Sequence, residues 1–513
     1  MKQKQYIHIS RRNILKAVGA AGLSISPLSG LGNELFSDLT DYSASGLSAL
    51  IRNRKTSCVE VMKAYLSRIH RYNPTYNAVV SLVNEDELIK QAFLADQELV
   101  KNIYRGWMHG MPHAIKDLAF TKGLKISMGS PIIAGSIASF DELFVSRIRA
   151  SGAIFIGKTN TPEFGLGSHT YNPVHGVTRN AYNPILTAGG SSGGAAVGLA
   201  ARMLPCADGS DMMGSLRNPA GYNNVIGFRP SQGRVPAYPA SDNFYQQLST
   251  DGPMGRNVED AIRLLVTMSG YSAKSPLSLK DELPEYAIFR AIDLDGYKIG
   301  WMGSYEGYLP TEKGVLNLCK ESLNSLNDHG AIIENCMPQY DMDRLWQTWL
   351  TFRHWSSLWA KEYYDDPKTR KLLKPEIIWE VEGAKKVTAY HLREAGIARS
   401  SWYQALLSLF EKYDVLALPS AQVFPFAADI HWPDEINGIP MDTYHRWMEV
   451  VIGGTLSGLP VVCLPAGFDP LGRPMGIQFI GRMGEDKKLL EFAMSYELVT
   501  DHLKRRPVLR DSI

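Results

Sequence analysis

The first regular pattern along the chain is an apolar stripe: Leu47, Leu50 and Ile51, then Cys58, Val61, Met62, Tyr65, Leu66 and Ile69. Recurrence at three and four residues predicts helices that bury one face. The polar break Arg54-Lys55-Thr56-Ser57 divides the stretch in two. Ser57 is the natural N-cap of the second helix, because its hydroxyl can accept from an unpaired N–H of the first turn. Short runs with strand character follow at Pro112–Ile115, Ala153–Gly157, Lys298–Met302, Ala331–Glu334, Val415–Pro419 and Met475–Ile480. Helical patterns lie between several of them, at Val145–Ser151, Asn257–Ser269 and Thr311–His329, and an alanine-rich one runs from Ala195 to Met203. Strands alternating with helices predict an α/β fold around one large sheet.

From Met342 to Tyr413 the pattern turns almost wholly helical and is dense in aromatics: Trp346, Trp349, Phe352, Trp355, Trp359, Trp379 and Trp402. Two readings stay open. Trp346, Trp349 and Phe352 recur at helical spacing and suit a helix core. The same rings could wall one side of an apolar pocket.

Composition narrows the function classes. With 45% hydrophobic and 21% charged residues the chain can bury a large core. A net charge of +2 gives no electrostatic reason to expect nucleic acid or an anionic membrane as partner. The five cysteines lack any CxxC spacing, which argues against a disulfide framework and a zinc site. Buried free thiols, or a single Cys319–Cys336 bridge in an exported protein, both remain open. Near the start, Ser10-Arg11-Arg12-Asn13-Ile14-Leu15-Lys16 precedes a weakly apolar run, Ala17–Leu31, broken by glycines and Pro27. That run is too short and too mild to span a membrane, and no Ala-x-Ala cleavage site follows it. It resembles a twin-arginine export signal; a disordered tail with two solvated arginines is the alternative. The signal reading divides the chain into a signal and tail over 1–35 and one domain over 36–513. It implies passage through the twin-arginine export machinery, a periplasmic or secreted location, and no stable membrane span after processing.

Candidate chemistry concentrates in three places. Lys116 ends an apolar run, and a lysine there is costly unless it is paired or functional. Gly189-Gly190-Ser191-Ser192-Gly193-Gly194 opens the alanine-rich helix, and Gly209-Ser210-Asp211-Met212-Met213-Gly214-Ser215-Leu216-Arg217 follows it. Two serines and a lysine can supply a nucleophile and a base without histidine. For that task the lysine must be neutral, which at pH 7 costs about 4.6 kcal/mol from an ordinary pKa; burial can lower a lysine by about 3–5 units.

These parts together resemble the amidase signature family. The likeness extends through Gly157-Lys158-Thr159-Asn160, Gly227-Phe228-Arg229-Pro230, Asp251-Gly252-Pro253-Met254, Gly458-Leu459-Pro460 and Pro474-Met475-Gly476-Ile477-Gln478, covering about residues 40 to 500. It implies a single large mixed β-sheet flanked by helices on both faces, with a helical insertion at about 340–412. It also implies Ser215 as nucleophile, Ser191 on a cis peptide as bridge, and Lys116 as base. Backbone N–H groups of Met212, Met213, Gly214 and Ser215 would form the oxyanion hole, with Ser192, Asp211 and Arg217 in support. No metal or other cofactor is implied. The substrate would be a small-molecule or peptide amide; the helical aromatics and paired methionines suggest an apolar or aromatic acyl group. The resemblance also admits an ammonia-releasing amidotransferase component, or a catalytically weak binding protein that keeps the fold.

Two departures stand out. The family commonly reads Asp-Thr-Gly-Gly-Ser where this chain has Asp211-Met212-Met213-Gly214-Ser215. A positive φ at position 213 would cost a side chain roughly 1–2 kcal/mol. His113 stands where the family usually has an apolar residue, and strand alternation turns it away from Lys116.

Overall fold

The computed structural model describes residues 38–245 and 248–511; the signal-like sequence lies outside the described residues. The two expected helices are α1 (Ala44–Arg52) and α2 (Cys58–Tyr76). Ser57 caps the second in a reciprocal box: its hydroxyl accepts from the Glu60 N–H, and Glu60 accepts from the Ser57 N–H. The core faces of both helices carry the apolar stripe read from the sequence.

A three-stranded sheet comes next. β1 (Val79–Val80) and β2 (Pro112–Lys116) flank β3 (Ile154–Thr159), antiparallel and parallel to it respectively. The main sheet has eight strands: β4 (Ala207–Asp211), β5 (Ile226–Arg229), β6 (Thr250–Gly255), β7 (Lys298–Trp301), β8 (Ile332–Asn335), β9 (Val415–Pro419), β10 (Val461–Phe468) and β11 (Pro474–Ile480), in the order β8-β7-β9-β11-β10-β5-β6-β4. β7 pairs in parallel with β8 and β9, and the other neighbours are antiparallel. The sheet is therefore mixed. Unbroken burial along β11, and along β10 as far as Gly467, means that both faces of the sheet are covered at its centre. Helices flank it, among them α3 (Leu143–Ala150), α4 (Gly193–Ala200), α5 (Arg217–Tyr222), α6 (Val258–Met268), α7 (Val315–Asn327), α8 (Met342–Ser356), α9 (Pro375–Ala384), α10 (Ala389–Phe410) and α11 (Asp486–Val499).

Every strand expected from sequence is present within two residues at each end, but β1, β4, β5, β6 and β10 were not expected. β4 and β6 read Ala-Asp-Gly-Ser-Asp and Thr-Asp-Gly-Pro-Met-Gly, residues that strands generally disfavour. They pair because they lie side by side at the edge where the site is built. The alanine-rich helix stops at Ala200 because Arg202 turns into the left-handed region at φ 57°. The Thr311–His329 helix starts only at Val315, after Gly314 at φ 100°.

Between β8 and β9 the chain is helical from Met342 to Asp365, breaks at the extended Asp366, resumes over Pro367–Arg370 and continues through α9 and α10. Here the two readings of the tryptophans separate. Trp346, Trp349 and Trp402 are buried core residues, and Trp402 donates to the Gly453 carbonyl at 2.9 Å. Trp359 is 46% exposed. All five cysteines are free thiols, so the Cys319–Cys336 bridge is not formed. Cys319 faces the Gly476 carbonyl on β11, whereas Cys336 follows the end of β8 and lies over Gly300. Among the described residues no helix is long and apolar enough to cross a membrane.

Candidate active site

The two sheets meet edge to edge. Asp208 on β4 accepts from the Lys116 backbone N–H at 3.2 Å, and its other oxygen lies 3.0 Å from His113 Nε2. His113 is wholly buried, and through Asp208 it joins β2 to β4. Lys116, the last residue of β2, is thereby held where its side chain crosses to the serine clusters.

The Gly-Ser cluster before α4 is fixed from several sides. Gly194 passes so close to the chain after β3 that a Cβ there would lie 2.3 Å from the Asn160 nitrogen. The Gly190–Ser191 peptide is cis, and the Gly190 N–H donates to Asn218 Oδ1 at 3.0 Å. The Ser192 N–H donates to the Ser215 carbonyl at 3.2 Å, so the two serine clusters touch. Lys116 Nζ lies 2.7 Å from Ser191 Oγ, 2.9 Å from Ser192 Oγ and 3.1 Å from Ser210 Oγ. The lysine carries no direct ion pair among the described residues; three hydroxyls surround it. Burial is the main force on it and lowers its pKa to about 7, against the opposing pull of Asp251, Asp208 and Asp211. A lysine so placed is neutral for a large fraction of the time near pH 7.

Ser215 is 7% exposed, and its hydroxyl makes no hydrogen bond among the described residues. Its loop is shaped by Asp211. One carboxylate oxygen accepts from the Gly214 N–H at 2.9 Å, the other from the Leu216 N–H at 3.1 Å. Arg217 closes a bidentate pair with the same carboxylate, both contacts at 3.0 Å, and Arg229 approaches from the other side. Arg217 also donates to the Val451 carbonyl, Gln478 Oε1 and Thr455 Oγ1. Burial opposes ionisation of Asp211, but Arg217 and Arg229 outweigh it and hold the carboxyl well below the usual carboxylate range.

A model of the family described as Amidase matches residues 60–490. The chain belongs to the amidase family. It is 32% identical over 485 residues to a glutamyl-tRNA(Gln) amidotransferase component from Coxiella burnetii (strain RSA 493 / Nine Mile phase I), covering 90% of this chain and 98% of that one. It is 29% identical over 472 residues to the acylamidase of Rhodococcus erythropolis, covering 91% and 97%. Among solved structures, a bacterial aryl acylamidase of the amidase signature family superposes with a TM-score of 0.84 at 25% identity, covering 91% of this chain and 99% of that one. The fold is accordingly that of amidase signature enzymes, and the chain is an enzyme of that family.

The loop before Ser215 corrects two expectations. The positive φ falls on Gly214, at 78°, and Met213 is outside the left-handed region, so its side chain is not strained. The Gly214 N–H is occupied by Asp211 and is not free for an oxyanion. The N–H groups of Met212, Met213 and Ser215 have no hydrogen-bond partner among the described residues. The helical segment reaches the site at two points. Arg353 Nη1 lies 2.9 Å from Met212 Sδ. The Trp359 ring packs edge-on to Phe164 at 4.8 Å, next to Gly165, where a Cβ would come within 3.7 Å of Ser191 Oγ. Sequence reasoning missed Ser210, Asp208 and Arg353; the polar alternation Asp208, Ser210 was the available signal for the first two.

Proposed function

We propose that this enzyme hydrolyses the C–N bond of a carboxamide through an acyl-enzyme on Ser215. Neutral Lys116 draws a proton through Ser191 as Ser215 attacks the carbonyl, and the same path returns a proton to the departing amine. Water then opens the acyl-enzyme by the reverse route. The developing oxyanion is received by free N–H groups of the Met212–Ser215 loop, which cost no reorganisation because Asp211 already holds the loop. The observation that carries the reading is the buried lysine with serine hydroxyls and no carboxylate at its amine. Nothing in this scheme requires a cofactor. Residues 1–35 support an exported enzyme acting in the periplasm or outside the cell, with the catalytic domain spanning 36–513.

The acyl group is bounded by Met212, with Arg353 behind it, and by Phe164 with Trp359. That lining supports apolar or aromatic acyl amides. A second reading, an ammonia-supplying component of an amidotransferase, is favoured by the 32% identity to the Coxiella burnetii protein. Release of ammonia or amine from a panel of acyl amides, aryl acylamides, peptide amides and glutamine separates the two. Turnover of acylamides that Ser215→Ala and Lys116→Ala each abolish supports the first. Turnover confined to glutamine supports the second.

A further inference from the structure

The lysine has a second polar neighbour that the proposed reaction does not use. In the β4–β6 pair, Asp251 stands directly opposite Ser210. Residues opposite each other in an antiparallel pair project on the same face, with Cβ atoms about 4.5–5.5 Å apart. Ser210 Oγ is 3.1 Å from Lys116 Nζ, so the Asp251 side chain flanks the hydroxyl that touches the amine. Ser210 and Asp251 are both partly exposed, while Ser191, Ser192 and Lys116 are buried. The amine therefore has two hydroxyl-lined sides: one carries Ser191, the bridge of the proposed reaction, and the other carries Ser210, with Asp251 opposite it in the strand pair.

We propose that Asp251 is a positioning residue that sets how readily Lys116 gives up its proton, and so the pH at which the site becomes active. This rests on the function proposed above. The charged and titratable groups around the pair are few. Asp208 on β4 is bound to His113 and to the Lys116 N–H, and Asp211 is matched by Arg217 and Arg229. Lys158 on β3 is bound to the Ala119 carbonyl and Thr121. Glu142, before α3, accepts from the Phe120 N–H at 3.0 Å. Asp251 has no such partner of its own among the described residues. After burial, its charge is the largest influence on Lys116, and it favours the ammonium. Burial and the charge of Asp208 in turn raise the Asp251 carboxyl, while Lys116 pulls it down; burial and Asp251 raise Glu142. Each of the two thus favours the charged form of the other.

The test is the rate of covalent labelling of Ser215 by a fluorophosphonate probe, measured from pH 5 to 10 on the full chain. In Asp251→Asn and Asp251→Ser the favourable charge is gone. The acid limb of the profile is expected to move down by about one unit. Asp251→Glu is expected to restore a midpoint near the native one. A limb that stays within about a quarter-unit of native in both neutral variants, or that Asp251→Glu fails to restore, overturns the inference while leaving the proposed function standing. If the native protein is folded and Ser215 is not labelled at any pH, the proposed function falls and this inference with it.

Discussion

Replacing Lys116 by methionine is expected to abolish turnover and, at neutral pH, to stabilise the fold. Burial lowers the lysine from 10.5 to about 7. At about 1.36 kcal/mol per unit, that displacement is worth about 4–5 kcal/mol against folding. The sign follows from proton counts. Between pH 7 and 10.5 the unfolded chain holds the lysine proton and the folded chain releases it, so the unfolded state binds more protons and stability rises with pH. The cost is complete below about pH 7 and fades towards pH 10.5. Methionine keeps the chain length and much of the volume but leaves the Ser191, Ser192 and Ser210 hydroxyls without the amine, a loss of about 1–3 kcal/mol. The net expectation at pH 7 is a gain of about 2 kcal/mol. At pH 9 the remaining lysine cost is only about 2 kcal/mol, and the gain should nearly vanish. Denaturant unfolding of native protein and variant at pH 7 and pH 9 reads both numbers. A variant less stable at pH 7, or a difference that does not change between the two pH values, would refute the reasoning.

Gly214→Ala should cost about 1–2 kcal/mol for the left-handed conformation and about 1–3 kcal/mol more because its Cβ would meet the Val451 side chain; unfolding midpoints check the sum, and labelling of Ser215 should fall with it. Arg217→Met leaves Asp211 buried without its bidentate partner and should destabilise by about 3–5 kcal/mol at pH 7. Because Arg217 and Arg229 hold the Asp211 carboxyl low, the stabilisation they provide is present above the ordinary carboxylate range and is lost as pH falls, so the deficit of Arg217→Met should shrink below about pH 4. Trp402→Ala should cost about 3–5 kcal/mol as a core truncation. Trp359→Ala should cost under about 1 kcal/mol and instead change relative kcat/KM across acyl groups.

Lys116, Ser191 and Ser215 could be picked out of the sequence because each sits in a cluster whose composition is hard to explain otherwise: a lysine closing an apolar run, and serines packed among glycines. The helices at Leu47 and Cys58 were legible for a different reason, a stripe with the helical period. β4 and β6 were not legible, since Asp208, Ser210 and Asp251 point to the site rather than to a hydrophobic layer and so erase the alternation by which strands are recognised. The use of the Gly214 N–H could not be read either. It depends on where the Asp211 carboxylate points, which is decided by Arg217 and by Arg229 on β5.

The contacts of Arg217 also decide when the site can exist. Its guanidinium is closed by Gln478 on β11 and by Thr455, while the base comes from Lys116, near the other end of the chain. A growing chain emerging from the ribosome holds lysine and serines long before it holds the residues that brace the Asp211 loop. Until residue 478 is made and folded into the sheet, Arg217 lacks the Gln478 contact that braces the loop beneath the nucleophile. Incomplete chains should therefore be inert towards amides, and activity should appear only with the closing strands.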